Sequence, residues 1–220
     1  MIEGMFMNKK LFIYIIAITF LITLVFICIK LNIKREDYDK ECIVFLGDSI
    51  TSRYDLSKYY KRYNVVNSGI GGNQTTDILN DLDNRVYKYN PTKVFLLIGT
   101  NDLVYSNMTN DGIKDNIDKI INNIHEKYPD CKIYLESIYP INDSVNKKIV
   151  ETRTNTSIKD LNGKIKNICN DSKCTYINMY DKLTDRNGNL IRIYTVDGLH
   201  LNRLGYIKVT KELRKYVKER

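Results

Sequence analysis

A serine, a histidine and an aspartate stand where they could act as a nucleophile and its proton-transfer partners. Ser49 follows an apolar run in "FLGDSI", at the point where a buried strand is expected to end. His200 lies in "VDGLHLN", three residues after Asp197. Across a turn, that spacing lets the carboxylate reach one imidazole nitrogen while the other faces a hydroxyl. The other histidine, His125, falls in a predicted helix, and we expect it to be a surface or half-buried side chain.

Acyl transfer also needs N–H donors for the negative charge that develops on the carbonyl oxygen. The backbone N–H of Ser49, at a predicted helix start, is one candidate. A glycine in "NSGIGGNQT" is a second, because backbone without a Cβ can approach a substrate closely. The side chain of Asn101 in "GTND" is a third. Alone, "GIGG" would fit a flexible turn or a phosphate loop, but it lacks the GxGxxG pattern and the Lys-Ser/Thr of a P-loop.

Short apolar runs alternate with segments of helical periodicity from Cys42 onward. The runs predict strands at "CIVFLG", "YNVVNSG", "TKVFLLIGTND", "CKIYLESIYP" and "CTYINMY". The periodic segments predict helices over 74–88, 110–128, 149–171 and 203–218. This alternation indicates a three-layer α/β/α domain, with a parallel sheet covered on both faces. Because the carboxyl ends of parallel strands meet at one rim, the polar ends of the first three strands should converge there.

Taken together, these blocks resemble the SGNH hydrolases of the GDSL type. The chain carries "GDSI", "NSGIGGNQT", "GTND" and "DGLHLN" in the family's order, over about residues 41–220. The resemblance implies a flavodoxin-like parallel sheet with Ser49 as nucleophile, His200 as base and Asp197 as the group that orients it. It also implies no metal or organic cofactor. The implied oxyanion donors are Ser49, Gly72 and Asn101.

Gly72 is selected among the glycines of its loop by the resemblance alone. The family's glycine commonly precedes an acidic or amide residue with a threonine nearby. Asn73 stands where many relatives carry aspartate.

The amino-terminal region is expected to be separate from this domain. Residues 11–29, "LFIYIIAITFLITLVFICI", carry no charge and are long enough to span a hydrocarbon core as a helix. A cleaved signal would need small residues at its cleavage site, and a lipoprotein signal a small residue before Cys28, so we expect an uncleaved anchor. Residues 1–10 would form a short head, 30–41 a tether and 42–220 the hydrolase domain. The short basic head favours a cell-membrane protein with its catalytic domain outside.

Composition restricts the other partners. The net charge is +8, but the basic residues are scattered and form no stripe interleaved with aromatics, so we expect no nucleic acid. Of five cysteines, Cys169 and Cys174 are close enough for a bridge, and we expect most of the cysteines to be small buried hydrophobic residues. The sequence leaves the oligomeric state open.

The predicted activity is hydrolysis of carboxylic esters by a membrane-anchored serine esterase. The favoured reaction is deacetylation of O-acetylated carbohydrate or cell-wall glycan. Alternatives are a lysophospholipase or lipid esterase, an O-acyltransferase, a silent binding module and a flavodoxin-type nucleotide binder. Because neutral imidazole is the active base, hydrolysis should decline in acid.

Overall fold

The structure, a computed structural model, describes residues 9–171 and 174–219. The chain divides into two compact units, with the boundary between Lys40 and Glu41. The first unit contains one helix, α1 (Lys9–Lys40). Its segment Leu11–Leu31 is 21 residues long with mean hydropathy 3.0, which is enough to cross a membrane and would also fit a signal sequence.

The structure describes the predicted head and tether only in part. Residues 1–8 of the predicted head lie outside the described residues. The predicted tether, 30–41, continues α1 as a helix as far as Lys40. No glycine or proline interrupts that stretch, so nothing in the backbone stops the helix there.

The second unit is built on a five-stranded sheet in the order β2-β1-β3-β4-β5, with all neighbouring strands parallel. This is the flavodoxin-like order, so the predicted fold is confirmed. Gly47 pairs with both Gly69 and Leu97, which places the ends of β1, β2 and β3 side by side. The strands are β1 (Cys42–Gly47), β2 (Asn64–Gly69), β3 (Lys93–Leu97), β4 (Lys132–Glu136) and β5 (Thr175–Ile177).

Short helical turns lie beside the strand ends, and longer helices cover the two faces of the sheet. The α-helices are α2 (Ser49–Ser52), α3 (Leu56–Tyr59), α4 (Thr75–Leu79), α5 (Leu82–Arg85), α6 (Asp102–Tyr105), α7 (Asn110–Lys127), α8 (Lys147–Val150), α9 (Asn155–Ile168), α10 (Tyr180–Leu183) and α11 (Arg203–Lys218). Three 3₁₀ turns within the described residues span Tyr87–Tyr89, Cys169–Asp171 and Arg192–Tyr194.

Two predicted helices are broken. The segment 74–88 divides into α4, α5 and a 3₁₀ turn. The segment 149–171 is interrupted at Glu151, whose φ of 60° leaves the helical region. Helix α9 then begins at Asn155 and is capped by Thr154, whose side chain accepts a hydrogen bond from the N–H of Ser157.

The core has two parts because strand side chains alternate between the faces of the sheet. Val44 and Leu46 of β1 join an aliphatic core with isoleucines of α7 and α9. Ile43 and Phe45 join an aromatic core with α11, in which the Phe45 and Phe95 rings stack with centroids 4.7 Å apart. The two cores pack against opposite faces of the sheet, and its carboxyl rim carries the polar blocks of the sequence.

The cysteines follow the sequence expectation only in part. Cys169 and Cys174 form a disulfide after α9. Cys42 and Cys131 are buried in the aliphatic core, whereas Cys28 is exposed on α1. Burial raises the pKa of Cys131 to about 12, with Cys42 nearby adding to the effect, so this thiol is a packing residue.

Candidate active site

Ser49 is placed by an abrupt change from strand to helix. Strand β1 ends at Gly47, and α2 begins at Ser49. A Cβ on Gly47 would lie 2.4 Å from the carbonyl oxygen of Leu97, so no larger residue fits at position 47 between β1 and β3. Between them, Asp48 caps α2 by accepting a hydrogen bond of 2.8 Å from the N–H of Ile50. The serine side chain therefore stands at the first residue of a helix, directly above the end of the sheet.

The three predicted proton-transfer residues lie in series. The Ser49 hydroxyl is 3.0 Å from Nε2 of His200. On the other side of the ring, Nδ1 of His200 is 2.7 Å from Oδ2 of Asp197. His200 is 9% exposed, so its ring is largely shielded from solvent. A hydroxyl, an imidazole and a carboxylate in this order can move a proton from the serine to the histidine.

The turn that carries Asp197 and His200 is held from within. The hydroxyl of Thr195 donates to the carbonyl of His200 at 2.7 Å and accepts from the N–H of Gly198 at 2.8 Å. Oδ1 of Asp197 accepts from the backbone N–H groups of His200 and Leu199, at 2.8 and 3.1 Å. Burial alone would raise the pKa of Asp197, but these bonds and the one from the His200 ring outweigh it and lower that pKa. The carboxylate therefore stays ionised and faces Nδ1.

The glycine loop after β2 is a tight turn beside Ser49. The N–H of Asn73 donates to the carbonyl of Ile70 at 3.3 Å, and Gly72 has φ of 81°, the value expected at the third position of a type II turn. A Cβ on Gly71 would lie 3.9 Å from the Cβ of Ser49. The loop thus brings backbone next to Ser49, and the choice of Gly72 as the donor stays a prediction.

Asn101 and the next residue fix this loop from the end of β3. Nδ2 of Asn101 donates to the carbonyl of Asn73 at 2.9 Å. Asp102, 1% exposed, accepts from the N–H of Thr75 at 3.0 and 3.1 Å, one bond to each carboxylate oxygen. The "GTND" block therefore supplies an amide to the rim and an anchor for the start of α4.

Comparison with known proteins identifies the family of this chain. The model of the GDSL-like lipase/acylhydrolase family matches residues 45–207, a span from the end of β1 into α11. The chain belongs to this family. The predicted resemblance is confirmed, and the predicted enzyme class, a serine hydrolase acting on esters, is that of this family.

Individual relatives of this acylhydrolase differ in what they are named for. A Streptococcus pneumonia structure, provisionally described as a platelet activating factor, is 32% identical with a TM-score of 0.76, covering 92% of this chain and 98% of that one. An acetylxylan esterase from Geobacillus stearothermophilus shares the fold at 16% identity, with a TM-score of 0.64 over 82% of this chain and 95% of its own. The N-acylneuraminate cytidylyltransferase of Escherichia coli O18:K1:H7 (strain RS218 / NMEC) is 30% identical over 86% of this chain but 43% of that protein. The acylhydrolase spans about half the length of the curated relatives it matches.

Two arginines of the acylhydrolase that the sequence analysis missed are buried at the rim. Arg85, 4% exposed, donates to Oδ1 of Asn73 at 2.5 Å and to the carbonyl of Gly47 at 3.0 Å. Arg153, 2% exposed, donates to the carbonyl of Thr100 at 2.9 Å and to the side chain of Asn101 at 2.9 Å. Neither belongs to a motif, and each lies in a segment predicted as helix, where an arginine is expected to be exposed.

Asp48 is a further buried acid of the acylhydrolase rim. Burial raises its pKa to about 7, although the N–H of Ile50 and the Arg153 guanidinium lower it. The neighbouring carboxylate of Asp102 adds to the rise.

The remaining histidine takes no part in this arrangement. His125 is half-buried near the end of α7, as predicted, and lines a cavity with Cys131 and Thr175 at the amino ends of the strands. Within residues 9–171 and 174–219, no cluster of three or more His, Cys, Asp or Glu side chains is placed to hold a metal ion.

Proposed function

We propose that this protein is a membrane-anchored serine esterase that removes acyl groups from O-acetylated carbohydrate or cell-wall glycan. Ser49 is the nucleophile, His200 the general base and Asp197 the residue that orients it. The observation that carries the proposal is the continuous hydrogen-bonded series at 3.0 and 2.7 Å from hydroxyl to imidazole to carboxylate.

The reaction follows from that geometry. Nε2 of His200 takes the proton of Ser49 as its oxygen attacks the ester carbonyl carbon. The imidazolium, held by Asp197, then protonates the oxygen of the leaving alcohol, and the acyl group remains on the serine. Water, deprotonated by the same imidazole, attacks the acyl carbon, and the serine leaves with the returned proton.

The negative charge of each tetrahedral intermediate would be held by three N–H groups. These are the backbone N–H groups of Ser49 and Gly72 and Nδ2 of Asn101. Asn101 is 4% exposed, so its N–H acts with little competition from water. Removing one such donor typically lowers kcat by about 100- to 1,000-fold.

A carbohydrate substrate is supported by the names of two relatives. The cytidylyltransferase is named for an N-acylated sugar acid, and the Geobacillus protein is an acetylxylan esterase. A lipid ester is the second candidate, because the matched family is named for lipases as well as acylhydrolases and Leu11–Leu31 is apolar enough to enter a bilayer.

An anchored position outside the cell is supported by two features. The apolar segment of α1 has the length of a membrane span. The disulfide between Cys169 and Cys174 is of a kind that persists in oxidising compartments.

Covalent labelling with a fluorophosphonate probe tests the nucleophile. We expect the probe to attach at Ser49, and Ser49→Ala to lose both labelling and esterase turnover while keeping the parental melting temperature. Ser52→Ala is the matched control, because this exposed serine lies on the same short helix. Normal turnover of p-nitrophenyl acetate by Ser49→Ala would remove the assignment.

The substrate class is tested with the parent protein. We expect acetate release from O-acetylated sugars to exceed fatty-acid release from lysophospholipids, measured as kcat/KM. The reverse order would replace the carbohydrate substrate by a lipid. Formation of an acylated sugar in preference to free acid would make the enzyme a transferase.

A further inference from the structure

The carboxamide of Asn101 is held at both ends by buried groups. Its oxygen accepts a hydrogen bond of 2.9 Å from Nη2 of Arg153. Its nitrogen donates a hydrogen bond of 2.9 Å to the carbonyl of Asn73. An arginine side chain can only donate and a carbonyl can only accept, so neither partner tolerates the amide turned over. The two contacts therefore set one orientation.

That orientation decides whether Asn101 helps or hinders the reaction. The amide nitrogen carries two hydrogens, of which the carbonyl of Asn73 takes one and leaves the other for a bound oxyanion. Turned by half a revolution, the amide would present its oxygen to the same negative charge and would repel it. An unrestrained amide would visit both states.

We propose that Arg153 is a positioning residue that locks the Asn101 carboxamide with its N–H toward the reaction centre. This inference rests on the proposed role of Asn101 as an oxyanion donor. The same contact has a second effect. The cation of Arg153, bound to the amide oxygen of Asn101, polarises the N–H and strengthens it as a donor.

The guanidinium is itself fixed by several partners. Nε donates to the carbonyl of Thr100 at 2.9 Å, and Nη1 donates to that of Val150 at 3.2 Å. Glu151 pairs with Nη1 at 3.3 Å and accepts from the hydroxyl of Tyr105 at 2.7 Å. These contacts use Nε and both Nη nitrogens of the planar guanidinium. A lysine at position 153 would therefore retain the charge but could not make the same set of hydrogen bonds.

A double-mutant cycle tests the proposal on the full chain, with kcat and KM for p-nitrophenyl acetate. We expect Asn101→Ala to lower kcat by about 100- to 1,000-fold. We expect Arg153→Met to lower kcat at least about tenfold with KM unchanged, and to change kcat less than about twofold when Asn101 is already alanine. Arg186→Met is the matched control, because it makes the same exchange at an exposed arginine and should leave kcat unchanged.

Equal losses from Arg153→Met in both backgrounds would overturn the proposal, because a structural role does not depend on the amide at position 101. An unchanged kcat in Arg153→Met would also overturn it. Should Arg153→Met fail to fold, Arg153→Lys serves instead, with a smaller loss of kcat that again vanishes beside Asn101→Ala. If Asn101→Ala keeps the parental kcat, the donor assignment itself fails, while labelling at Ser49 still tests the rest of the proposed function.

Discussion

Replacing Asp197 with asparagine should inactivate His200 as a base while keeping a side chain of the same shape in the turn. In the parent, one carboxylate oxygen faces Nδ1 of His200 at 2.7 Å, and the other accepts from two backbone N–H groups, of His200 and Leu199, at 2.8 and 3.1 Å. An amide has one oxygen only. It must either turn its NH₂ group toward two backbone donors or turn it toward the ring.

The second choice is the less costly one, because it leaves both backbone bonds in place. The NH₂ group then donates to Nδ1, so the proton of the neutral ring moves to Nε2. A protonated Nε2 cannot accept the proton of Ser49. In the serine protease template the equivalent change lowers kcat about 10⁴-fold, and we expect a loss of that order, or about 5.5 kcal/mol of transition-state stabilisation.

The assay is hydrolysis of p-nitrophenyl acetate by Asp197→Asn and by a control, Asp181→Asn. Asp181 is exposed and accepts a side-chain hydrogen bond from Asn178, so its replacement tests the same chemical change away from the triad. We expect the melting temperature to stay within a few degrees of the parent in both. A kcat for Asp197→Asn within tenfold of the parent would refute the tautomer argument.

Two further predictions concern stability. Gly198→Ala should lower the melting temperature and kcat together, because φ is 88° and the new Cβ would meet the carbonyl oxygen of Asn142 at 2.1 Å. The control Gly163→Ala, whose new Cβ would lie in open space on α9, should leave the melting temperature unchanged or raise it. A parental melting temperature for Gly198→Ala would contradict the prediction. Burial raises the pKa of Glu136 to about 7. The folded state therefore holds its proton where the unfolded state has lost it, and the contribution of Glu136 to the free energy of unfolding should fall by roughly 3 kcal/mol as pH rises from about 4.5 to 7. In urea unfolding measured across that pH range, the free energy of unfolding of Glu136→Gln should fall less than that of the parent. An equal fall in both proteins would count against the argument.

Much of the fold could be predicted because its signals are local. The apolar strand "CIVFLG" is buried along its whole length between β2 and β3, and its pattern alone separated it from the helices. The predicted convergence of polar strand ends needed only the rule that parallel strands share a carboxyl rim. It succeeded for the ends of β2 and β3, where Nδ2 of Asn101 donates to the carbonyl of Asn73 at 2.9 Å.

The supporting residues could not be predicted for the opposite reason. Arg85 and Arg153 act through contacts made across the fold, to Gly47 and Thr100 respectively. In the sequence each is a single charged residue in a segment of helical appearance. Burial of an arginine is decided by the acceptors that surround it in space, and a one-dimensional pattern carries no record of them.

The serine and its base are separated by 151 positions in the chain, one near the start of the domain and one just before its last helix. During synthesis the nucleophile is therefore made long before the group that activates it. Until the turn that carries His200 has been made and has folded beside Ser49, the serine hydroxyl lacks the imidazole that the proposed function assigns as its base. Reactivity is in this sense the last property that the chain acquires.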